Sequence, residues 1–374
     1  MIRFFLLVIL FLISLLSIFK AFEYHLWLLA IGTTEFPWLF AGLTIVALGL
    51  GIWMPRWQMG GTILGTITLV IFMSPVVRAY WAAKDVKEDM AKALNVQPNE
   101  ETRFRFFKMF TGVKSVAYKN ITYIKYADTS MTMDFYPAQR PGKQPCIIMV
   151  HGGSWAGGDS QQLPELNSYL AARGYNIASI NYRMAPKWQT PAPVEDIQAL
   201  MAYCRVHADE LHIDTSQFVL IGRSAGAQIA LLAAYTLHDP AIKGVVDFYG
   251  PADMVWGYSI RSNPWIMDSR KVMEQYIGGS YTQVPQKYVA CSPIGFVNRQ
   301  SVPTLIIHGE SDPLVSREHS RRLDLKLTQN GIKHYWLKLP WATHGFDYNL
   351  NGPGGQLSTY AVDTFLKSIS PLTP

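Results

Sequence analysis

The chain has 374 residues, a globular composition and no low-complexity tract, which suits one large or two ordinary domains. Its net charge of +6 comes from basic residues scattered among acids rather than gathered in one run, which argues against a nucleic-acid partner. Three widely spaced cysteines (Cys146, Cys204 and Cys291) offer neither a zinc spacing nor a disulfide framework; Cys146 lies in a strand-like run and Cys204 in a helix-like one, so buried thiols are expected.

The first eighty residues carry only Arg3, Lys20, Glu23, Glu35, Arg56 and Arg78 as charges. Three apolar runs fall there: Phe4–Phe19, Pro37–Trp53 and Gly60–Val77. Each has about the length that crosses a hydrocarbon core, the first being slightly short, and backbone groups there are satisfied only as helices. Trp27, Trp38, Trp53, Trp57, Tyr80 and Trp81 sit near the run ends, where an aromatic belt belongs. The expectation is a multi-pass integral membrane region over residues 1–80 with three spans; two spans plus an interfacial segment is the alternative. A cleaved signal peptide competes for the first run, but no small-x-small site follows it. An outside N-terminus would place Lys20, Arg78, Lys84 and Lys87 on the cytoplasmic side, so charge leans the remainder of the chain toward the cytoplasm.

Residues 81–120 read as a linker. Within it "RFRFFKMF" (Arg103–Phe110) is either a helix packed on the next domain, the reading favoured here, or a patch resting on the membrane surface.

From Ile121 onward strands and helices alternate. "ITYIKY" and "MTMDFYPA" form an initial antiparallel pair. "CIIMV", "YNIASINYR", "FVLIG", "GVVDFYG", "TLIIHG" and "HYWLKLP" follow as strands, with helices between and a last helix near Gln356–Ile369. Apolar strands separated by helices imply an α/β domain, a mostly parallel sheet covered on both faces, with function at the carboxyl ends of the strands.

"VLIGRSAGAQIALLAA" (Val219–Ala234) places a serine between two glycines at a strand-to-helix corner. Gly222-Arg223-Ser224-Ala225-Gly226 is a Gly-x-Ser-x-Gly pentapeptide, whose turn exposes the Ser224 hydroxyl and whose small residues let neighbouring chains approach. A helix N-cap is the plainer role for such a serine. A hydroxyl nucleophile needs a base, and the base an orienting acid. Asp312 follows the strand "TLIIHG" and His344 follows the last strand, so the order Ser, Asp, His is the order of this architecture. Glu310 and Asp347 are competing acids; His308 and His319 are competing bases. His308 is expected to brace a loop and His319 to lie on an exposed helix. "HGGSWAGG" (His151–Gly158) supplies oxyanion donors: Gly153 and Ser154 first, Gly152 as the alternative, with Ala225 giving the other amide. His151 is expected to brace that loop, and Trp155 either to wall the pocket or to pack.

These motifs resemble the α/β-hydrolase superfamily, specifically its esterase/lipase branch related to hormone-sensitive lipase. The "HGGSW" form is similar to small carboxylesterases, kynurenine formamidases and isoprenylcysteine methylesterases rather than to members with a third glycine. The resemblance covers about Ile121 to Ser368 and leaves the three apolar runs outside it. It implies a catalytic domain over residues 121–374 with a partial lid at 251–299. That segment holds Trp256, Tyr258, Trp265, Met267 and Tyr276, and its aromatics either favour an apolar acyl or alcohol group or fill the lid's own core; Trp256 and Trp265 join Trp155 as candidate pocket residues. The activity implied is a membrane-anchored serine carboxylesterase acting through an acyl-enzyme on a small or lipid-like ester, with neither metal nor organic cofactor. Two alternatives stand beside it: a non-catalytic binding protein on the same fold, and use of the same residues for amide hydrolysis or acyl transfer.

Overall fold

The computed structural model describes residues 2–53, 58–99, 101 and 103–372. Arg56 and Trp57, counted above among the charges and belt aromatics, lie outside the described residues.

Four helices open the chain: α1 (Ile2–Ser14), α2 (Tyr24–Glu35), α3 (Pro37–Gly49) and α4 (Gln58–Leu94). Leu7, Leu10, Ala47 and Phe72 form the apolar contact among α1, α3 and α4. Small residues set the spacing: a Cβ on Gly65 would lie 2.5 Å from Leu48 Cδ2. Arg3, although buried, is not isolated, because its Nε donates to the Ala47 carbonyl at 3.0 Å and its Nη2 to Thr62 Oγ1 at 3.3 Å.

The three expected spans are resolved differently by the fold. Among the described residues, α4 is the helix long and apolar enough to cross a bilayer; α2 and α3 pass the same test only as a pair, bent by 86°. The bend has a local cause. Pro37 occupies the first turn of α3, and Glu35 is turned into the following domain, where its Oε2 accepts the Gly354 N–H at 2.9 Å. Nor does the third run stop at Val77. Its helix continues to Leu94, and Ala79, Ala83, Val86, Met90 and Leu94 form one stripe buried against the domain that follows. The first fourteen residues of the expected linker are therefore helix and core.

The second unit is one sheet. Its strands are β1 (Lys119–Lys125), β2 (Ser130–Tyr136), β3 (Gln144–Val150), β4 (Asn176–Ile180), β5 (Ile213–Arg223), β6 (Ile242–Phe248), β7 (Thr304–Gly309) and β8 (His334–Leu339), in the order β1-β2-β4-β3-β5-β6-β7-β8. β2 pairs antiparallel with both β1 and β4, and every later pairing is parallel. β3 and β4 are buried along their whole length, as parallel strands covered on both faces must be. The covering helices are α5 (Glu165–Ala172), α6 (Ala192–Val206), α7 (Ala225–Thr236), α8 (Met254–Ser259), α9 (Ser269–Ile277), α10 (Pro285–Ala290), α11 (Glu318–Gln329) and α12 (Pro353–Ile369). All three cysteines are free and buried. The Phe106–Phe110 turn packs on the domain, with the Arg105 N–H donating to Gln356 Oε1 at 2.9 Å and the Phe110 ring 5.1 Å from Trp38.

The stripe on α4 carries a stability prediction. Met90 has no exposed surface. Met90→Ala leaves a cavity between α4 and the sheet and should cost about 2–5 kcal/mol. A thermal melt of the detergent-solubilised protein checks this; an unchanged midpoint would mean that α4 does not dock there.

Candidate active site

β5 delivers Ser224 at its carboxyl end, and α7 begins at the next residue. Ser224 has φ 51° and ψ −119°, a strained conformation for a residue with a side chain. The flanking glycines make it possible. A Cβ on Gly222 would sit 2.3 Å from the Gly226 carbonyl oxygen, and one on Gly226 would sit 2.3 Å from the carbonyl oxygens of both Val150 and His151. Gly226 thereby seats α7 directly on the end of β3, where the His151–Gly158 loop begins.

That loop is shaped by positive φ at Gly153 (116°), Ser154 (54°), Trp155 (59°) and Gly158 (89°). The Gly152 N–H is already used, donating to Gln162 Oε1 at 2.7 Å. The Gly153 and Ser154 amides have no acceptor among the described residues. Ala225, first in α7, has no intrahelical acceptor for its N–H. His151 lies behind the loop, stacked on Tyr182 at 4.3 Å, with Nδ1 2.7 Å from the Gly152 carbonyl. Burial lowers its pKa to about 4, so it is a neutral brace.

Asp312 and His344 meet at the ends of β7 and β8. His344 Nδ1 lies 2.6 Å from Asp312 Oδ2, and both residues are buried. The other carboxylate oxygen, Oδ1, accepts the Leu314 and Val315 N–H groups at 2.8 and 2.9 Å. Burial alone would raise the Asp312 pKa; the His344 imidazole and the hydrogen bonds from His308 and His344 outweigh it and hold the carboxyl well below the ordinary range. An ionised Asp312 keeps the proton on His344 Nδ1, which leaves Nε2 as an acceptor. Tyr249 covers the imidazole, with ring centroids 4.4 Å apart.

Ser224 and His344 line the same cavity of about 740 Å³. The Ser224 hydroxyl makes no hydrogen bond to another described residue, His344 included.

The rival acids and bases are engaged elsewhere. Asp347 is buried between Arg223 Nε and the Tyr249 hydroxyl, and Glu310 pairs with Arg317 at 3.1 Å. His308 Nε2 lies 3.1 Å from the Val315 carbonyl and 3.2 Å from Asp312 Oδ2, while its Nδ1 is 2.6 Å from Ser320 Oγ; it ties the Asp312 loop to α11. His319 is not exposed as expected. It is buried, accepts the Asp253 N–H at 3.2 Å and meets the Trp256 ring edge-on at 4.8 Å, because the first turn of α11 faces the 251–299 segment.

The tryptophans proposed for the pocket are placed differently. Trp155 is buried, its indole N–H donating to Gln228 Oε1 at 2.9 Å and its ring stacked on Tyr276 at 4.6 Å. Trp256 sits over His319 and Arg322, and Trp265 is 70% exposed. None of the three lines the Ser224 cavity. The segment's tyrosines mostly fill its own core, as the Tyr258–Tyr288 and Tyr281–Tyr288 contacts illustrate; Ile266 and Met267 are its residues at the cavity. The wall missed from the sequence is α2, which contributes Tyr24, Trp27, Leu28 and Ile31. Their i, i+3, i+4, i+7 spacing puts them on one face of α2, but the apolar residues on its other faces hide that stripe in the sequence.

A mostly parallel sheet with this serine corner and strand-end acid and imidazole defines an α/β-hydrolase fold. The BD-FAE family model matches residues 133–327, more than half of the chain, and the protein belongs to that family. Among relatives, Esterase LipC of Mycobacterium tuberculosis is 30% identical over 240 residues, covering 60% of this chain and 58% of the relative. Esterase LipQ of the same organism is 29% identical over 226 residues, covering 56% and 52%. The chain thus spans just over half the length of these curated relatives. Of solved structures, an esterase from Pyrobaculum calidifontis superposes with a TM-score of 0.59 at 20% identity, over 79% of this chain and 99% of that one. A truncated carbohydrate esterase from gut microbiota gives 0.56 at 20%, over 69% and 99%. At that identity the likeness is one of fold.

The buried histidines set a pH dependence. His151 and His319 are held neutral, with pKa values lowered from 6.5 to about 4 and about 3 by burial. The unfolded chain takes up protons below about 6.5 and the folded one does not. Their stabilisation is therefore whole above pH 6.5 and is lost progressively as the pH falls from there to the folded values. His151 alone should lose on the order of 3 kcal/mol by pH 4. Urea titrations across this range should show the decline, and His151→Asn should flatten it; an equally steep decline in the variant would refute the assignment.

Proposed function

We propose that this protein is a membrane-attached serine hydrolase that cleaves carboxylic esters through Ser224, His344 and Asp312. The observation that carries the reading is an imidazole, oriented at 2.6 Å by a buried, ionised Asp312, that lines one cavity with a strained serine and unpaired backbone amides. Membership of the BD-FAE family and the esterase names of its relatives support the same chemistry.

In this mechanism Ser224 Oγ attacks the ester carbonyl carbon while His344 Nε2 takes the hydroxyl proton. The structure has the serine unpaired, and the two atoms meet when substrate fills the cavity, as catalytic hydrogen bonds often tighten only in the loaded enzyme. Asp312 stabilises the imidazolium and keeps its tautomer. The Gly153, Ser154 and Ala225 amides receive the oxyanion; one such donor is typically worth about 3 kcal/mol. The intermediate collapses, the C–O bond breaks, and His344 returns its proton to the departing alkoxide. Water, deprotonated by His344, then attacks the acyl-enzyme; the acid leaves and Ser224 regains its proton.

The membrane attachment rests on surface chemistry. Phe5, Phe19, Val46, Ile52 and Val70, from α1, α3, α4 and the turns beside them, are all exposed apolar side chains, which supports an apolar environment around these helices. We place α4 across the bilayer with α1 and α3 beside it, and its Ala79–Leu94 half holding the catalytic domain at the membrane face. The full chain should stay in the pellet after alkaline carbonate washing; its release would refute this placement.

A fluorophosphonate probe tests the catalytic reading. Labelling should disappear in Ser224→Ala, and kcat/KM on p-nitrophenyl acetate should fall by about 10³-fold or more in Ser224→Ala and in Asp312→Asn. A folded protein that neither labels nor hydrolyses esters or their amide analogues would refute it.

A further inference from the structure

The N-terminal helix α2 lies outside the residues matched by the family model, yet it forms one wall of the Ser224 cavity. Its attachment is specific at three points. At its start, the Tyr24 N–H donates to the Trp265 carbonyl at 3.1 Å and Asn263 Nδ2 donates to the Phe22 carbonyl at 2.6 Å. In its middle, Trp27 Nε1 donates to the His344 carbonyl at 2.9 Å. At its end, Glu35 receives the Gly354 N–H through Oε2, and the Glu35 carbonyl receives Asn349 Nδ2 at 2.7 Å. A helix tied across the mouth of a cavity at both ends and at the proposed base fixes the shape of that cavity.

The chemistry of this wall is apolar. Trp27, Leu28, Ile31 and Phe36 face the cavity from α2 and the residue after it, and Met267 and Leu314 face it from the other side. Leu28 both lines the cavity and is 44% exposed, so the cavity reaches the surface at this residue. Resting on the esterase reading above, we infer that α2 is the specificity-determining element of the site: its apolar face holds the hydrocarbon chain of a long-chain ester, entering past Leu28. The chain belongs to either the acyl or the alcohol part of the ester, and its recognition is the same in both: burial of methylenes without polar partners.

Two substrate series separate these sources, p-nitrophenyl esters from acetate to dodecanoate and alkyl acetates from ethyl to dodecyl, measured on the full chain in detergent micelles. In one series kcat/KM should rise at least tenfold from the shortest chain to the octyl length. Leu28→Trp, which fills the mouth, should lower the octyl-to-shortest ratio in that series at least tenfold; Leu28→Ala, which enlarges it, should move the optimum to longer chains. Val206→Trp, on the exposed end of α6, serves as the control and should not move the ratio. Fluorophosphonate labelling of each variant establishes that its site is assembled. Hydrolysis with chain-length profiles unchanged by both Leu28 variants would overturn this inference and leave the esterase reading standing. A wild-type protein that neither hydrolyses nor labels would overturn both.

Discussion

The close approach of Gly226 to the end of β3 is the constraint on which the site depends. With 2.3 Å from a would-be Cβ to two separate carbonyl oxygens, no residue but glycine lets α7 sit there. That contact places the corner bearing Ser224 against the origin of the His151–Gly158 loop. The proposed nucleophile and the amides proposed to hold the oxyanion are thereby positioned by one backbone contact rather than by flexible side chains. Pre-organised dipoles of this sort need no reorganisation at the moment charge develops.

A second linkage runs through charge. Arg223, between Gly222 and Ser224 in the pentapeptide, is buried and pairs with Asp347, which also accepts from the Tyr249 hydroxyl. Tyr249 in turn covers His344, three residues before Asp347. The β5 corner, the end of β6 and the loop after β8 are thus joined by one ion pair and one ring contact. Buried pairs are costly to break from one side because the surviving charge is left without a partner. This network gives the imidazole a rigid backing on the face away from Asp312, which fixes its orientation beyond what a single hydrogen bond can do. His308 does the same for the carboxylate, linking the Asp312 loop to α11 through Ser320.

Much of the α/β domain is legible in the sequence because its signals are local. A serine between glycines at a strand–helix corner, and an acid and a histidine just beyond apolar strands, announce their positions without any knowledge of packing. Where the signal is not local, the sequence misleads. His319 begins a helix, "EHSRRLDLKLTQ", whose polar residues read as exposed; the opposing 251–299 segment buries that one. Trp256 and Trp265 are aromatic and near the site along the chain, but partners at the chain's other elements decide which way they face. The helical stripe at the end of α4 was hidden by the assumption that a span ends where its apolar run ends, although an amphipathic helix continues through Leu94.

The N-terminal region shows why the same kind of failure conceals a functional element. Helix α2, "YHLWLLAIGTTE", is apolar around much of its circumference, since one side meets the cavity and others meet helices or the exposed apolar surface. It therefore has no amphipathic contrast to separate a pocket wall from a membrane segment, and Trp27 reads as a belt residue. The residue that breaks the ambiguity is Glu35. A buried acid at the end of an apolar helix demands a partner; burial pushes the Glu35 carboxyl up to about 8, so it is held mostly protonated at neutral pH, and its Oε2 accepts the Gly354 N–H in the first turn of α12. With α2 anchored there and bent 86° from α3, a stretch with the composition of a span forms part of the cavity wall.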